Sequence, residues 1–152
     1  MCDEVAVEHE IAIAASQQQV FSFVSDYAND PQWRVGARQV EYSHPLEVGS
    51  LVTDRLDVEG TRLEFRMKVV ELDFPRVARA ELISDAGCHL VNVRTVTATG
   101  EGTSRFSYRI EFDREILRSA VPQLPPVDQV TAWYDNMLRS SLESISKILD
   151  HG

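Results

Sequence analysis

The chain is short of the residues that would tie it to several kinds of partner. It has 15 Lys and Arg against 24 Asp and Glu in 152 residues, a formal net charge of −9 at pH 7. Phosphate recognition needs a surplus of basic side chains gathered on one face, so no nucleic-acid partner is expected. A polybasic contact with anionic lipid is disfavoured for the same reason. Cysteine is scarce. Cys2 lies in a terminus of the kind that frays, and with Cys88 it makes no disulfide framework. No apolar run approaches the roughly 20 residues of a membrane span, so no stable membrane insertion is expected. The opening Met1-Cys2-Asp3-Glu4 is acidic and polar, the wrong start for a signal peptide. These absences point to a cytoplasmic protein in a reducing compartment.

Several chemistries are missing too. The histidines, His9, His44, His89 and His151, are scattered without metal-ligand spacing to Cys or acidic residues, so no metal is expected. There is no G-x-S-x-G elbow and no P-loop. Gly100-x-Gly102 precedes a strand where a dinucleotide fingerprint would have to open a helix, and no cofactor is expected. Cys88 begins a strand with no activating group beside it, which argues against a catalytic thiol.

What is present is the composition of a globular protein, 43% hydrophobic and 26% charged. The length suits one domain over residues 1–152, able to bury roughly 70% of its unfolded surface. Val5-Ala6-Val7-Glu8-His9-Glu10-Ile11-Ala12-Ile13 alternates with period two, the mark of an antiparallel strand with one wet face. Ser16-Gln17-Gln18-Gln19 is an S-x-x-Q capping box that opens a short helix through Val20, Phe21 and Val24. Asn29-Asp30-Pro31 breaks or restarts it, and Trp33 follows. Residues 37–113 read as six strands and their turns. The clearest strand turns Leu63, Phe65, Met67 and Val69 one way and Arg62, Glu64, Arg66 and Lys68 the other. From Thr61 to Leu72 it would span roughly 40 Å, long enough to twist and curve. His44-Pro45, Glu59-Gly60, Phe74-Pro75, Asp85-Ala86-Gly87 and Gly100-Glu101-Gly102 punctuate. In the last strand Phe106, Tyr108, Ile110 and Phe112 share a face. After Pro122, Pro125 and Pro126, Asp128 is placed to cap a helix that runs to about Leu149. Its apolar stripe is Val130, Tyr134, Met137, Leu138, Leu142, Ile145, Ile148 and Leu149. A curved sheet needs its concave face covered, and only this helix is long enough to cover it.

This order resembles the helix-grip fold of the START-like, or SRPBCC, superfamily, and in particular its bacterial polyketide cyclase/dehydrase and lipid-transport branch. The likeness rests on Ile11-Ala12-Ile13-Ala14-Ala15 leading into Val20-Phe21 and Val24-Ser25-Asp26, on Pro31-Gln32-Trp33, on Val48-Gly49, and on Gly102-Thr103 before an alternating strand. The resemblance implies an α+β fold: a curved seven-stranded antiparallel sheet around a long C-terminal helix, with two short helices after the first strand. It also implies an apolar cavity between sheet and helix. Two features depart from the family pattern. Ser16 stands where the family often has proline, and the last hairpin carries one residue more. A one-residue shift reverses which side chains face inward. Either His89, Val91, Val93 and Thr95 face the cavity, or Leu90, Asn92 and Arg94 do.

Candidate ligand-binding residues are Leu63, Phe65, Met67, Tyr108, Ile110, Tyr134 and Met137, with Trp33 near the mouth; the alternative for all of them is plain core. Polar residues on apolar faces are the catalytic candidates. His9 shares a face with Val7 and Ile11, and Asp54 with Val52 and Leu56. An acid–base pair of the two would suit an aldol-type cyclisation and dehydration. The structural alternatives are a core histidine bonded to a neighbour and a salt bridge from Asp54 to Arg55 or another arginine. Arg94 facing inward would bind an anionic head group or an enolate. Arg76, Arg79 and Arg105 nearby favour an outward, solvated Arg94. The expected function is to bind an apolar or amphipathic small molecule of lipid, polyketide or isoprenoid type. A polyketide cyclase/dehydrase of the aromatase/cyclase kind is the alternative, and a packed domain acting through its surface, for instance as a homodimer, is a third.

Overall fold

Alternation and its interruptions set the element order in the computed structural model, which describes residues 4–43, 45–84, 87–118 and 120–150. Cys2, His44, the Asp85-Ala86 turn and His151 lie outside the described residues. Strand β1 (Glu4–Ile13) leads through the Ser16/Gln19 capping box into α1 (Gln17–Val24). A single 3-10 turn at Tyr27–Asn29 and the four-residue α2 (Asp30–Trp33) follow. Six strands come next: β2 (Ala37–Tyr42), β3 (Leu51–Val58), β4 (Thr61–Asp73), β5 (Val77–Leu82), β6 (Leu90–Gly100) and β7 (Thr103–Asp113). After a 3-10 turn at Arg114–Leu117, α3 (Val127–Leu149) ends the fold.

The strands form one seven-stranded sheet in the order β1-β7-β6-β5-β4-β3-β2, antiparallel throughout. This is the expected helix-grip architecture, a curled sheet around a C-terminal helix. Register breaks at Ala37/Gln39, Val69/Glu71 and Ala98/Gly100 let the sheet bend. Its inner face carries Val52 and Leu56 of β3, Leu63, Phe65, Met67 and Val69 of β4, and Phe106, Tyr108, Ile110 and Phe112 of β7, all buried. The outer face is laced by exposed pairs such as Arg55 with Glu41 and Glu64, and Arg79 with Glu81.

The β6 register resolves in favour of Leu90, Asn92 and Arg94, which are buried together with Val96. Arg94 is therefore an interior residue, and the expectation of a solvated position is corrected. Ala78 and Ala80 of β5 lie opposite Arg94 and Asn92 across the ladder, and both are buried. Their small side chains leave room for the long ones.

Helix α3 packs along β1 and against α2. Three polar links pin it: His9 Nε2 to Asp135 Oδ1 at 2.7 Å, Ala14 N–H to Asp150 Oδ1 at 2.7 Å, and Val35 N–H to Ser141 Oγ at 2.9 Å. Its start differs from expectation. Pro126 occupies the N-cap position with no side-chain cap, and Asp128 sits within the first turn, where its charge favours the helix dipole. Its last turn also differs, because Ile148 is exposed, while Ser141 joins the buried stripe through a bond to the Met137 carbonyl. Among the described residues, no helix is long and apolar enough to cross a membrane.

Candidate functional site

The concave face holds a chain of four alternating charges. Arg94 of β6 meets Asp30, the first residue of α2, with Nη1 donating to Oδ1 at 2.8 Å and Nη2 to Oδ2 at 2.6 Å. One helical turn on, Arg34 donates from Nη1 to the same Asp30 Oδ2 at 2.9 Å. Its Nη2 reaches Asp54 Oδ2 on β3 at 3.0 Å. Asp30 and Arg94 are fully buried. Two positive and two negative charges cancel, which is what makes such burial tolerable.

Neutral groups complete the chain. Arg94 Nη1 also donates to the Val24 carbonyl at 2.7 Å, and its Nε to Asn92 Oδ1 at 3.2 Å. Asn92 Nδ2 then donates to the Tyr108 hydroxyl at 2.8 Å. The Arg94 guanidinium lies over three rings, 4.5 Å from the centre of Tyr27, 5.1 Å from Trp33 and 5.4 Å from Tyr108. Burial alone would lower the Arg94 pKa, but Asp30 overrides it and raises it. Arg34 is likewise raised, against burial, by Asp54 and Asp30. Burial pushes the Tyr27 phenol up to about 12 and raises Tyr134 as well. Three buried polar atoms of this region have no hydrogen-bond partner among the described residues: Asp54 Oδ1, the Tyr27 hydroxyl and Trp33 Nε1.

Three adjoining pockets run from this chain toward α3. The first is lined by Tyr27, Asp54, Asn92 and Arg94 with Val40, Val52 and Met67. The second shares Asp54, Met67 and Asn92 and adds Phe65, Leu90 and Ile110. The third shares Ile110 and Tyr134 with the second and reaches Tyr108 and Met137. The space open to a water-sized centre is about 10, 20 and 10 Å³. Each is on the scale of the roughly 10–15 Å³ that a single water occupies.

The structure thus places Phe65, Met67, Tyr108, Ile110, Tyr134 and Met137 along the pockets. Leu63 is buried but lines none of the three. Trp33, expected near a mouth, is 1% exposed and stacked edge-on against Phe106 and Tyr108. His9 and Asp54 have different partners. His9 bonds Asp135 on α3, whereas Asp54 bonds Arg34 and not Arg55. Asp30, Arg34 and Tyr27 did not stand out as site residues in the sequence. The one signal, for Asp30 and Arg34, is their spacing of four around Pro31, in a stretch that the sequence marks only as a helix break.

A curled antiparallel sheet that grips a C-terminal helix over a buried polar chain defines a START-like ligand-binding fold. The family described as polyketide cyclase / dehydrase and lipid transport matches residues 4–149, and the chain belongs to it. None of the curated proteins matches the chain in sequence. Among solved structures, a START superfamily protein from Mycobacterium smegmatis aligns with TM-score 0.75 and 15% identity over 95% of this chain and 96% of that one. The Zhui aromatase/cyclase from Streptomyces sp. R1128 gives TM-score 0.68 and 16% identity over 95% of this chain and 90% of that one. Norcoclaurine synthase from Thalictrum flavum, in complex with dopamine and hydroxybenzaldehyde, gives TM-score 0.61 and 16% identity over 97% and 87%. At these identities the likeness is one of fold.

Proposed function

We propose that the chain binds an apolar or amphipathic small molecule, of lipid, polyketide or isoprenoid type, between the sheet and α3, with residues 1–152 acting as one START-like unit. The observation that carries this is the make-up of the pockets. Phe65, Met67, Leu90, Ile110 and Tyr134 supply apolar walls around a polar end at Asp54 and Asn92. A few fixed polar groups in an apolar lining are the usual form of a small-molecule site. The pockets are water-sized, so a larger molecule requires side chains to move aside. Met67, unbranched and flexible, lines two of them and is suited to that movement.

Carrying a ligand is favoured over converting one by the state of the charged groups. Arg94 is held by Asn92 at its Nε, by the Val24 carbonyl at Nη1 and by Asp30 at both terminal nitrogens. His9 is bonded to Asp135 and lines none of the three pockets. The test is native mass spectrometry on protein purified without detergent, with organic extraction of whatever is released. A discrete apolar adduct supports binding. A clean protein mass, together with no thermal shift on titrating aromatic or acyl probes, overturns it.

A further inference from the structure

The geometry points to an uncharged ligand that carries a hydroxyl group, an alcohol or phenol, held at the polar end by Asp54 and Tyr27; this rests on the binding reading above. The charges of Arg94, Asp30, Arg34 and Asp54 alternate in sign and cancel. Each guanidinium already has its carboxylate. A ligand carboxylate or phosphate would bring a negative charge beside Asp54 Oδ1 with no free cation to meet it. An ammonium group would add a positive charge next to Arg34, which sits 3.0 Å from the other Asp54 oxygen. Only a neutral head group leaves the balance intact in a site where unpaired charge is costly.

The unpaired atoms say which neutral group fits. Asp54 Oδ1 is a buried acceptor and the Tyr27 hydroxyl a buried donor, neither with a partner among the described residues, and both residues line the same pocket. A hydroxyl donates and accepts at once, so a single group of this kind serves both. An ether or a ketone would leave Asp54 Oδ1 unmet.

The probes are 2-naphthol, 2-methoxynaphthalene and 2-naphthoate, matched in ring and differing in the polar group. Isothermal titration at neutral pH is expected to rank 2-naphthol first, about tenfold or more tighter than the methyl ether, as for a hydrogen bond to a charged group. The carboxylate is expected to bind weakest. In Asp54→Asn the carboxamide keeps its oxygen for Arg34 and turns an N–H donor to the cavity, so the hydroxyl preference over the ether should fall toward unity. The wild-type series decides the matter even where that variant is unstable. Naphthoate binding as tightly as naphthol, or the ether matching naphthol, overturns the hydroxyl assignment and leaves ligand binding standing. No binding by any of the three overturns both.

Discussion

Asp30 holds two guanidiniums on one carboxylate in the interior, and its removal would leave both without their shared partner. Breaking a buried ion pair from one side costs about 3–5 kcal/mol, because a charge stays behind uncompensated. Asp30→Asn should therefore lower the unfolding free energy by about that amount in urea titrations. Arg55 also has two acidic partners, but its side chain is 32% exposed. Arg55→Ala should cost less than about 1 kcal/mol, as exposed pairs do. Equal losses in the two variants would mean that the interior chain contributes no more than surface pairing. Tyr27 adds a pH dependence of its own. Its phenol titrates near 10 when unfolded and at about 12 in the fold, because burial disfavours the phenolate. A raised pKa of this kind contributes stability in full below pH 10, and the contribution is lost as pH rises toward 12. Urea midpoints should fall across that window in the wild type and fall less in Tyr27→Phe. A flat wild-type profile from pH 10 to 12 would contradict the assignment.

Elements that meet their neighbours by a regular period were legible in the sequence, and those that meet by tertiary contact were not. The alternation of β1 and β4 showed which face was buried, as did the stripe of α3 apart from its last turn, whereas the extra residue in the last hairpin left the inward register of β7 open along with that of β6. β6 was ambiguous because Val91, Val93 and Thr95 on one face are as strand-like as Leu90, Asn92 and Arg94 on the other. Only the pairing of Arg94 with Tyr108 across the ladder, and with Asp30 from α2, selects the face. Asp30 is 64 positions from Arg94 and lies in a broken helical stretch with no period to mark its inner side. The junction after α2 shows a constraint of the same kind. Gly36 has φ +91, and a Cβ there would run into the carbonyl oxygen of Asp57 and approach the Met137 methyl to 3.2 Å. Gly60 also has positive φ, but a Cβ there meets open space. Gly36→Ala should thus cost more than Gly60→Ala, by about 1–3 kcal/mol for added backbone strain. Matching melting temperatures for the two would show that β2 and β3 shift apart at little cost.

Over the whole molecule, sheet and helix leave only water-sized pockets between them, so the proposed binding requires opening to be coupled to it. Met67 stands at the junction. It is 5% exposed, lies opposite Val52 on β3 and Leu82 on β5, and lines the two pockets that share Asp54 and Asn92. Truncating a buried methionine to alanine costs about 2–5 kcal/mol, through lost burial and the cavity left behind. If that cavity is the ligand site, Met67→Ala should melt lower than the wild type when empty and recover more of the deficit when 2-naphthol is added. Ligand that binds only the folded state stabilises it by an amount that grows with the ratio of free ligand to Kd. The created space should also lower Kd, since the wild type must displace this side chain to admit a ring. Leu63→Ala is the matched control. Leu63 is equally buried on the same strand and lines none of the three pockets, so its truncation should cost similar stability with no gain in affinity. A ligand response that is the same in both variants would place binding elsewhere on the molecule. A gain confined to Met67→Ala would tie the apolar walls, the charge-balanced end and the movement that joins them to a single site.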